Sequence, residues 1–333
     1  MVHRLEVHRI GFAFRAALSL AALLGWAAAA PAWAQSDYPA RPVTVIVPLG
    51  NGGVVDVAAR LFAQDWGRRL GQSFVVENKP GAGGLLGMRL VKNAAPDGYT
   101  LLLHSNGLSM VQTMQKSPDV DVRRDFVPVS LALRGDLGVW VNSAVPANSM
   151  KELLEYARRN PGKLNYGSSG VGGAIHLPTE AALAKAGVSM VHVPYGGGLP
   201  MVNALIAGDI QVLFTDIGTL YRRKSDRVRF LAIAAKERSP LFPDAPTLPE
   251  VGVDFTNPFW MGLFAPAGTP AAVVNKLNAT VRDSLQSPEI TAFIRTQTWA
   301  PMGTSVEATR AQLASEVEEW TATVRRANIP LND

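Results

Sequence analysis

The sequence predicts an α/β fold of two domains with a ligand cleft between them. Three observations carry this prediction. Short runs rich in Val, Ile, Leu and Phe alternate with longer amphipathic stretches along the whole chain, the pattern of successive βα units. Two glycine loops, at residues 50–53 and 167–173, each lie between such a run and a helix start, far apart in the chain. Irregular segments at 134–136 and 241–250 interrupt the alternation where the chain would cross between domains. At 333 residues the chain is also longer than one core usually serves. The expected division is a leader over 1–34, one domain made of 35–134 with 258–333, and a second of 135–257.

The leader carries Arg4, Arg9 and Arg15, an apolar run over 16–30, then Ala32, Trp33 and Ala34. Small residues where a signal peptidase needs them predict a secretory signal peptide cut near Ala34. The run is too short and too alanine-rich for a comfortable transmembrane anchor. No second apolar run of spanning length follows, so the mature chain is expected to be soluble and exported.

There is no cysteine, which excludes a disulfide framework, thiolate catalysis and a lipid-modified N-terminal Cys. The formal charge is +5, and +3 without the three Arg and one Glu of residues 1–34. That mild, scattered excess supports only a faint bias toward anionic ligands. The one compact basic run, Arg222, Arg223, Lys224 and Arg227 beside Asp226, reads as a solvated loop rather than a nucleic-acid patch.

Taken in order, Val43, Val45, Ile46 and Val47 read as a strand buried on both faces, stopped by Pro48. Gly50, Gly52 and Gly53 permit unusual dihedrals and close approach of a ligand. A helix follows, with Val54, Val57, Ala58, Leu61 and Phe62 expected on one side and Gly71 ending it. Its first N–H groups have no helical partner, and with the dipole behind them they offer an anion site. The bland alternative is an ordinary βα turn. Residues 74–77 are a second strand, and a turn over 78–84 opens another helix. A third strand over 99–103 ends in the polar stretch His104, Ser105, Asn106 and Gly107, where buried strands of α/β sheets collect ligand contacts.

Residues 126–133 and 139–142 are expected as two strands separated by Arg134, Gly135 and Asp136. Ser149 with Glu152 predicts a capping box. A strand over 164–167 feeds the second glycine loop and a helix over 174–186. Strands over 190–194, 210–214 and 230–234 follow, with a third glycine-rich loop at Tyr195, Gly196, Gly197 and Gly198. Phe259 to Phe264 is an apolar strand. Thr269 and Pro270 are expected to begin the next helix, and Thr304 with Glu307 to cap the last. That helix spaces Val306, Leu313, Val317, Trp320 and Val324 for a core face.

Catalytic signatures are sparse. The mature chain has three histidines, His104, His176 and His192, and no H-E-x-x-H or close pair, so no metal is expected. Ser168 and Ser169 miss the nucleophile-elbow pattern because residue 171 is Val. No Walker loop is present, and Gly81-Ala82-Gly83 lacks the third glycine of a dinucleotide fingerprint. Asp56 and Asp216 form a conceivable carboxylate pair. Their ordinary readings are a first-turn acid facing the helix dipole and a turn cap, and His176 reads as a satisfied histidine. A binding site asks for less: N–H groups of two helix starts, one from each domain, facing a carboxylate. Each charge-assisted bond contributes about 1.5–3 kcal/mol, which after ordering costs allows roughly micromolar affinity.

Several motifs together resemble the Bug family, the periplasmic solute-binding receptors of tripartite tricarboxylate transporters. They are Val47-Pro48 with Gly52-Gly53, Asp56 and Ala59-Arg60; the run from Glu77 to Gly84; Pro96-Asp97-Gly98-Tyr99-Thr100; His192-Val193-Pro194-Tyr195; and Ala265-Pro266-Ala267-Gly268-Thr269-Pro270. The resemblance covers nearly all of the mature chain, in order. It implies a two-domain, type II-like periplasmic-binding fold that closes over its ligand by hinge motion. It also implies a small organic carboxylate, held largely by backbone N–H groups and bridging waters, then delivered to membrane transporter subunits; a monomer is the default expectation for a receptor that closes. No cofactor, no nucleic acid and no catalysis are implied. The family's ligand loops fall on Leu49, Asn51, Gly52, Gly53 and Asp56; on Ser105 and Asn106; on Ser168, Gly170, Gly172, Gly173 and His176; and on Tyr195, Gly197 and Asp216. Leu49-Gly50-Asn51 departs from the family's usual aromatic or alanine and proline, Gly196 replaces a usual lysine, and Asn203 stands where an acid is common. Two other readings use the same cleft. One is a periplasmic sensor for a signalling partner. The other is a secreted hydrolase or isomerase with Asp56, His176 or Asp216 as acid and base.

Overall fold

The computed structural model describes residues 38–327 and 329–331. The expected leader and its cleavage near Ala34 lie outside the described residues. No described helix is long and apolar enough to cross a membrane.

Strand β1, Val43–Val47, is buried as its β-branched run requires, and lies parallel between β2, Phe74–Asn78, and β3, Thr100–Ser105. Strand β9, Pro258–Pro266, runs antiparallel to β3 and to β4, Phe126–Asn142, and the short β10, Ala300–Pro301, also pairs with β4. This makes the first sheet. The second is built on the far end of β4. There β7, Val212–Asp216, and β8, Val228–Ile233, pair antiparallel with β4, while β5, Asn165–Ser168, runs parallel to β7 and to β6, Val191–Pro194. Each sheet has its own core: Ile46, Leu102, Trp260, Phe264 and Leu313 on the first, and Trp140, Met201, Leu205, Leu213 and Ile233 on the second.

Residues 134–136 do not break β4, contrary to the expectation from sequence. The strand is continuous for 17 residues and is itself the crossing. Its ladder with β9 runs to Asp136, and its ladder with β7 starts at Leu137. Gly135 is required there because the Trp299 indole lies across it. A Cβ on Gly135 would sit 2.3 Å from Trp299 Cδ1. A glycine in a strand that signals a break in sequence here accommodates an aromatic ring.

Other boundaries shift for local reasons. Helix α1, Val54–Leu70, buries Val55, Ala58, Ala59, Phe62 and Trp66, while Val57 is 44% exposed, so the apolar stripe lies one residue from the expected one. Ser149 caps the helix Met150–Arg159 by accepting from Glu152 N, and the Glu152 carboxylate accepts from Asn148 N rather than Ser149 N. The last helix, Val306–Arg326, is capped by Ser305 and not by Thr304. Thr304 is diverted because its hydroxyl accepts from Leu131 N in β4, at 2.8 Å. Pro270 is itself the N-cap of Ala271–Ser284, and the Thr269 hydroxyl donates back to Pro266 O.

Candidate functional site

The chain leaves β1 at Val47, turns at Pro48 and enters α1 through residues 49–53. Gly52 takes φ +74°, where a side chain would be strained. Gly53 is the N-cap, extended and with no side chain to offer, so the first N–H groups of this 17-residue helix are left for another partner. Asp56 holds the loop in shape. Its Oδ2 accepts from Gly52 N at 2.9 Å and from Arg60 Nε at 3.3 Å. Its Oδ1 accepts from Asn78 Nδ2 at 2.9 Å and pairs with Arg60 Nη2 at 2.9 Å. Asn78 also donates to Leu49 O at 3.0 Å. Burial pushes the Asp56 carboxyl up, but the Gly52 N–H, Arg60 and Asn78 outweigh it, and the net shift is downward. Asp56 is therefore an anion already engaged by the protein on both oxygens.

This loop forms one wall of a cavity of about 390 Å³ between the two sheets. Leu137 of β4, Phe259 of β9 and Ser105 of β3 line its floor, together with Gln297. From the second sheet come Ser169, Ala174 and Ile175, the start of helix Gly198–Ala207 with Leu199, Met201 and Val202, and Thr215, Asp216 and Thr219. Asp216 caps the short helix Ile217–Tyr221 by accepting from Thr219 N, and also accepts from the Thr219 hydroxyl. Burial pushes its carboxyl up to about 6, against the lowering by Thr219 and by the Arg222 charge. Gln297 is fully buried, and neither atom of its amide has a protein partner.

Of the candidate residues, Leu49, Gly52, Gly53, Asp56, Ser105 and Asp216 share this wall. Asn51 is exposed on the same loop and does not line it. Asn106 borders a different cavity, of about 650 Å³, with Asn257, Glu316 and Trp320. Ser168, Gly170, Gly172, Gly173 and His176 shape the second glycine loop from within. The Ser168 hydroxyl accepts from Gly170 N at 3.1 Å and meets His192 Nε2 at 2.7 Å. His176 Nδ1 accepts from Gly172 N at 3.0 Å, and its ring lies 4.0 Å from that of His192. Burial, joined by the His192 charge, lowers His176 to about 4, so the ring is neutral near pH 7. Tyr195 packs on the second core, and its N–H donates to Ser168 O at 2.8 Å.

Gly197 belongs to a different feature. Gly50 faces Gly196 and Gly197 backbone to backbone, so closely that a Cβ on Gly50 would lie 2.5 Å from Gly196 O. Gly83 makes a second such contact, where a Cβ would lie 2.3 Å from Val171 O. The glycine loops of the two sheets thus meet through bare backbone. A Cβ on Gly196 would meet nothing within 4 Å.

Sequence reasoning missed Arg60 and Asn78 as supports of the loop, Gln297 on the floor, and Arg222 and Arg223. The last two are exposed, as a solvated run would be, yet both border the cavity. Asn78 stood inside the quoted motif and Arg60 beside Asp56, so those two carried a signal. For Gln297, Arg222 and Arg223 the sequence carried none.

Residues 58–329 match the family model described as tripartite tricarboxylate transporter family receptor. Protein BugT of Bordetella pertussis is 33% identical over 307 residues, covering 91% of this chain and 94% of its own. Two solved structures with bound ligands are similar throughout. Rpa4515 of R. palustris, solved with adipate, superposes with a TM-score of 0.83 at 31% identity, covering 88% of this chain and 99% of that one. MatC of Rhodopseudomonas palustris, solved with malate, gives 0.82 at 30% identity, covering 86% and 100%.

Proposed function

The chain belongs to the family of tripartite tricarboxylate transporter receptors, and from that premise we propose that it is a periplasmic receptor for a small organic carboxylate. It captures the ligand by hinge closure and delivers it to a membrane transporter. The observation that carries this reading is the apposition of residues 49–53, at an uncapped helix start, with Gly196 and Gly197 of the opposite sheet around one cavity. One ligand carboxylate lies against the α1 start, where N–H groups and dipole favour it. The adipate and malate of the two solved relatives support that ligand class. The closing bodies are residues 35–134 with 258–333, and 135–257, moving about β4 and the segment before β9. The ligand contacts are the loops named above, with Leu49, Gly52, Gly53, Ser105 and Asp216 nearest the ligand. The protein works as a monomer in the periplasm after loss of its leader.

Binding is favoured over catalysis by the state of two of the three candidate acids and bases. Asp56 is engaged on both oxygens, and His176 spends Nδ1 on the Gly172 N–H. The test is a thermal-shift screen of residues 35 onward against mono-, di- and tricarboxylates, aromatic carboxylates, amino acids and sugars. A ligand at about a hundred times its Kd adds about 2.7 kcal/mol, a shift of several degrees at roughly 2–4 °C per kcal/mol. A shift confined to one carboxylate class supports the reading. No shift from any anion, with no co-purified ligand found by mass spectrometry after denaturation, refutes it.

A further inference from the structure

One buried polar side chain on the cavity between the sheets does nothing for the fold. Gln297 ends the helix Pro288–Gln297 and is fully buried. Neither Nε2 nor Oε1 of its amide has a partner among the described residues. The backbone around it is fixed. Thr298 turns into the left-handed region at φ +62°, Trp299 N donates to Ile294 O at 3.0 Å, and the Trp299 indole lies across Gly135 of β4. On its other side stands Gly218, in the first turn of the helix Ile217–Tyr221. A Cβ there would lie 2.6 Å from Gln297 Cα and 2.8 Å from Gln297 Oε1. Both features cost stability: a glycine inside a helix weakens it, and a buried amide without partners is paid for by the whole fold. The two costs meet at one place on the cavity wall. A position that served packing alone would carry an apolar residue, whereas local rules are broken where a ligand needs the group.

The atoms of the amide define what would satisfy it. Nε2 needs an acceptor and Oε1 needs a donor. A methylene supplies neither and a carboxylate supplies only the first, while a hydroxyl or a primary carboxamide supplies both. The polar group beyond Gly218 is already engaged. Asp216 accepts from Thr219 N and from the Thr219 hydroxyl, and its carboxyl is further steadied by Gly218 N and the Arg222 charge. We propose that Gln297 is a specificity-determining residue of this cavity, reading one neutral polar group of the ligand, a hydroxyl or a carboxamide. The proposal rests on the carboxylate-receptor reading above and adds to it the uncharged group that the bound carboxylate carries. A site built to hydrogen-bond such a group rejects the analogue lacking it far more strongly than an apolar pocket rejects a missing methylene.

Isothermal titration of the mature protein tests this with straight-chain mono- and dicarboxylates of four to six carbons. Each is measured against analogues of the same length that carry one hydroxyl or end in a carboxamide. The variants are Gln297→Leu and Gln297→Met, the second keeping the unbranched shape of the side chain. Ligand-free melting temperature reports folding for each. The wild type is expected to bind at least one hydroxylated or amidated member about tenfold or more tighter than its unsubstituted counterpart. Both variants bring that ratio to within about twofold of one, still bind the unsubstituted acid, and melt no lower than the wild type without ligand. A purely structural role would instead lower the melting temperature and weaken both members of each pair alike, leaving the ratio intact. That result, or a wild-type ratio near one for every pair, overturns the role of Gln297 while leaving the carboxylate receptor standing. Failure of every carboxylate to bind overturns the receptor reading, and the role of Gln297 with it.

Discussion

Replacing Gly50 by Ala tests whether the backbone contact between the glycine loops belongs to ligand capture. Gly50 is not in the left-handed region, so Ala fits its own backbone without strain. The whole effect comes from one methyl aimed at Gly196 O, 2.5 Å away, with Gly196 C and Gly197 Cα at 3.4 Å. Contacts under 3.0 Å are essentially never made by a real Cβ, so the loops must part by roughly 0.5 Å or more. Neither side yields easily. Leu49 O is tied to Asn78 and Gly52 N to Asp56, while Tyr195 N is tied to Ser168 O. Overpacking of this kind costs about 1–3 kcal/mol. In an open form the methyl meets only solvent, so the cost falls on closure and appears in full as lost affinity. That is roughly a 5- to 150-fold rise in Kd. Isothermal titration with the carboxylate found by the thermal-shift screen measures it, and ligand-free melting temperature checks the fold. Gly196→Ala is the control, because its Cβ meets nothing within 4 Å, and its Kd stays within about twofold of wild type, as for ordinary surface substitutions. Wild-type affinity in Gly50→Ala would refute the reasoning. So would an equally large drop in ligand-free stability, since the contact would then belong to the resting fold as well.

Asn78→Ala removes donors to both Asp56 and Leu49 O. It takes one of the two partners from the buried Asp56 Oδ1, leaving Arg60, and lowers unfolding free energy by about 1–3 kcal/mol, read by urea melts. Gln297→Leu replaces a buried amide without protein partners by an apolar group of similar size. It raises stability by about 1 kcal/mol, and a lower melting temperature would contradict this. Acidification destabilises through the buried histidines. Burial lowers His104 to about 3, and burial with the His192 charge lowers His176 to about 4. The unfolded chain binds protons below about pH 6.5 and the folded one does not, so stability is complete above that value and falls as pH drops toward 4. At pH 5.5 each group costs about 1.4 kcal/mol. A melting temperature flat from pH 7 to 5, or an equal fall in His176→Asn, would show that these rings are not held neutral.

Particular residues show how far the sequence could be read. The strand at 43–47, the loop after it, the Ser149 cap and the core face of the last helix rest on interactions a few residues long, and each appears where periodicity and turn chemistry put it. The family motifs reached further, to a fold in which several loops meet. They did not reveal which side chains face the cavity. Asp56 is the instructive case. Its place in the first turn of α1 was legible, but its role depends on Asn78 and Arg60, one of them 22 residues away. The glycine at 135 was misread because the Trp299 ring that requires it comes from a distant part of the chain.

From its sequence alone this protein was expected to be an exported α/β chain with anion-ready helix starts, and its motifs resembled a family of carboxylate receptors. The strands, helices and helix starts follow from local backbone preferences and from apolar periodicity, which neighbouring residues express. The tertiary structure alone decided that β4 passes unbroken between the sheets, that Gly50 meets Gly196 as bare backbone, that Gln297 is buried without protein partners, and that Arg222 and Arg223 border the cavity. Each of these depends on which distant segments pack together. Such contacts leave no periodic trace in the chain, because the residues that make them are neighbours only after the two sheets have met.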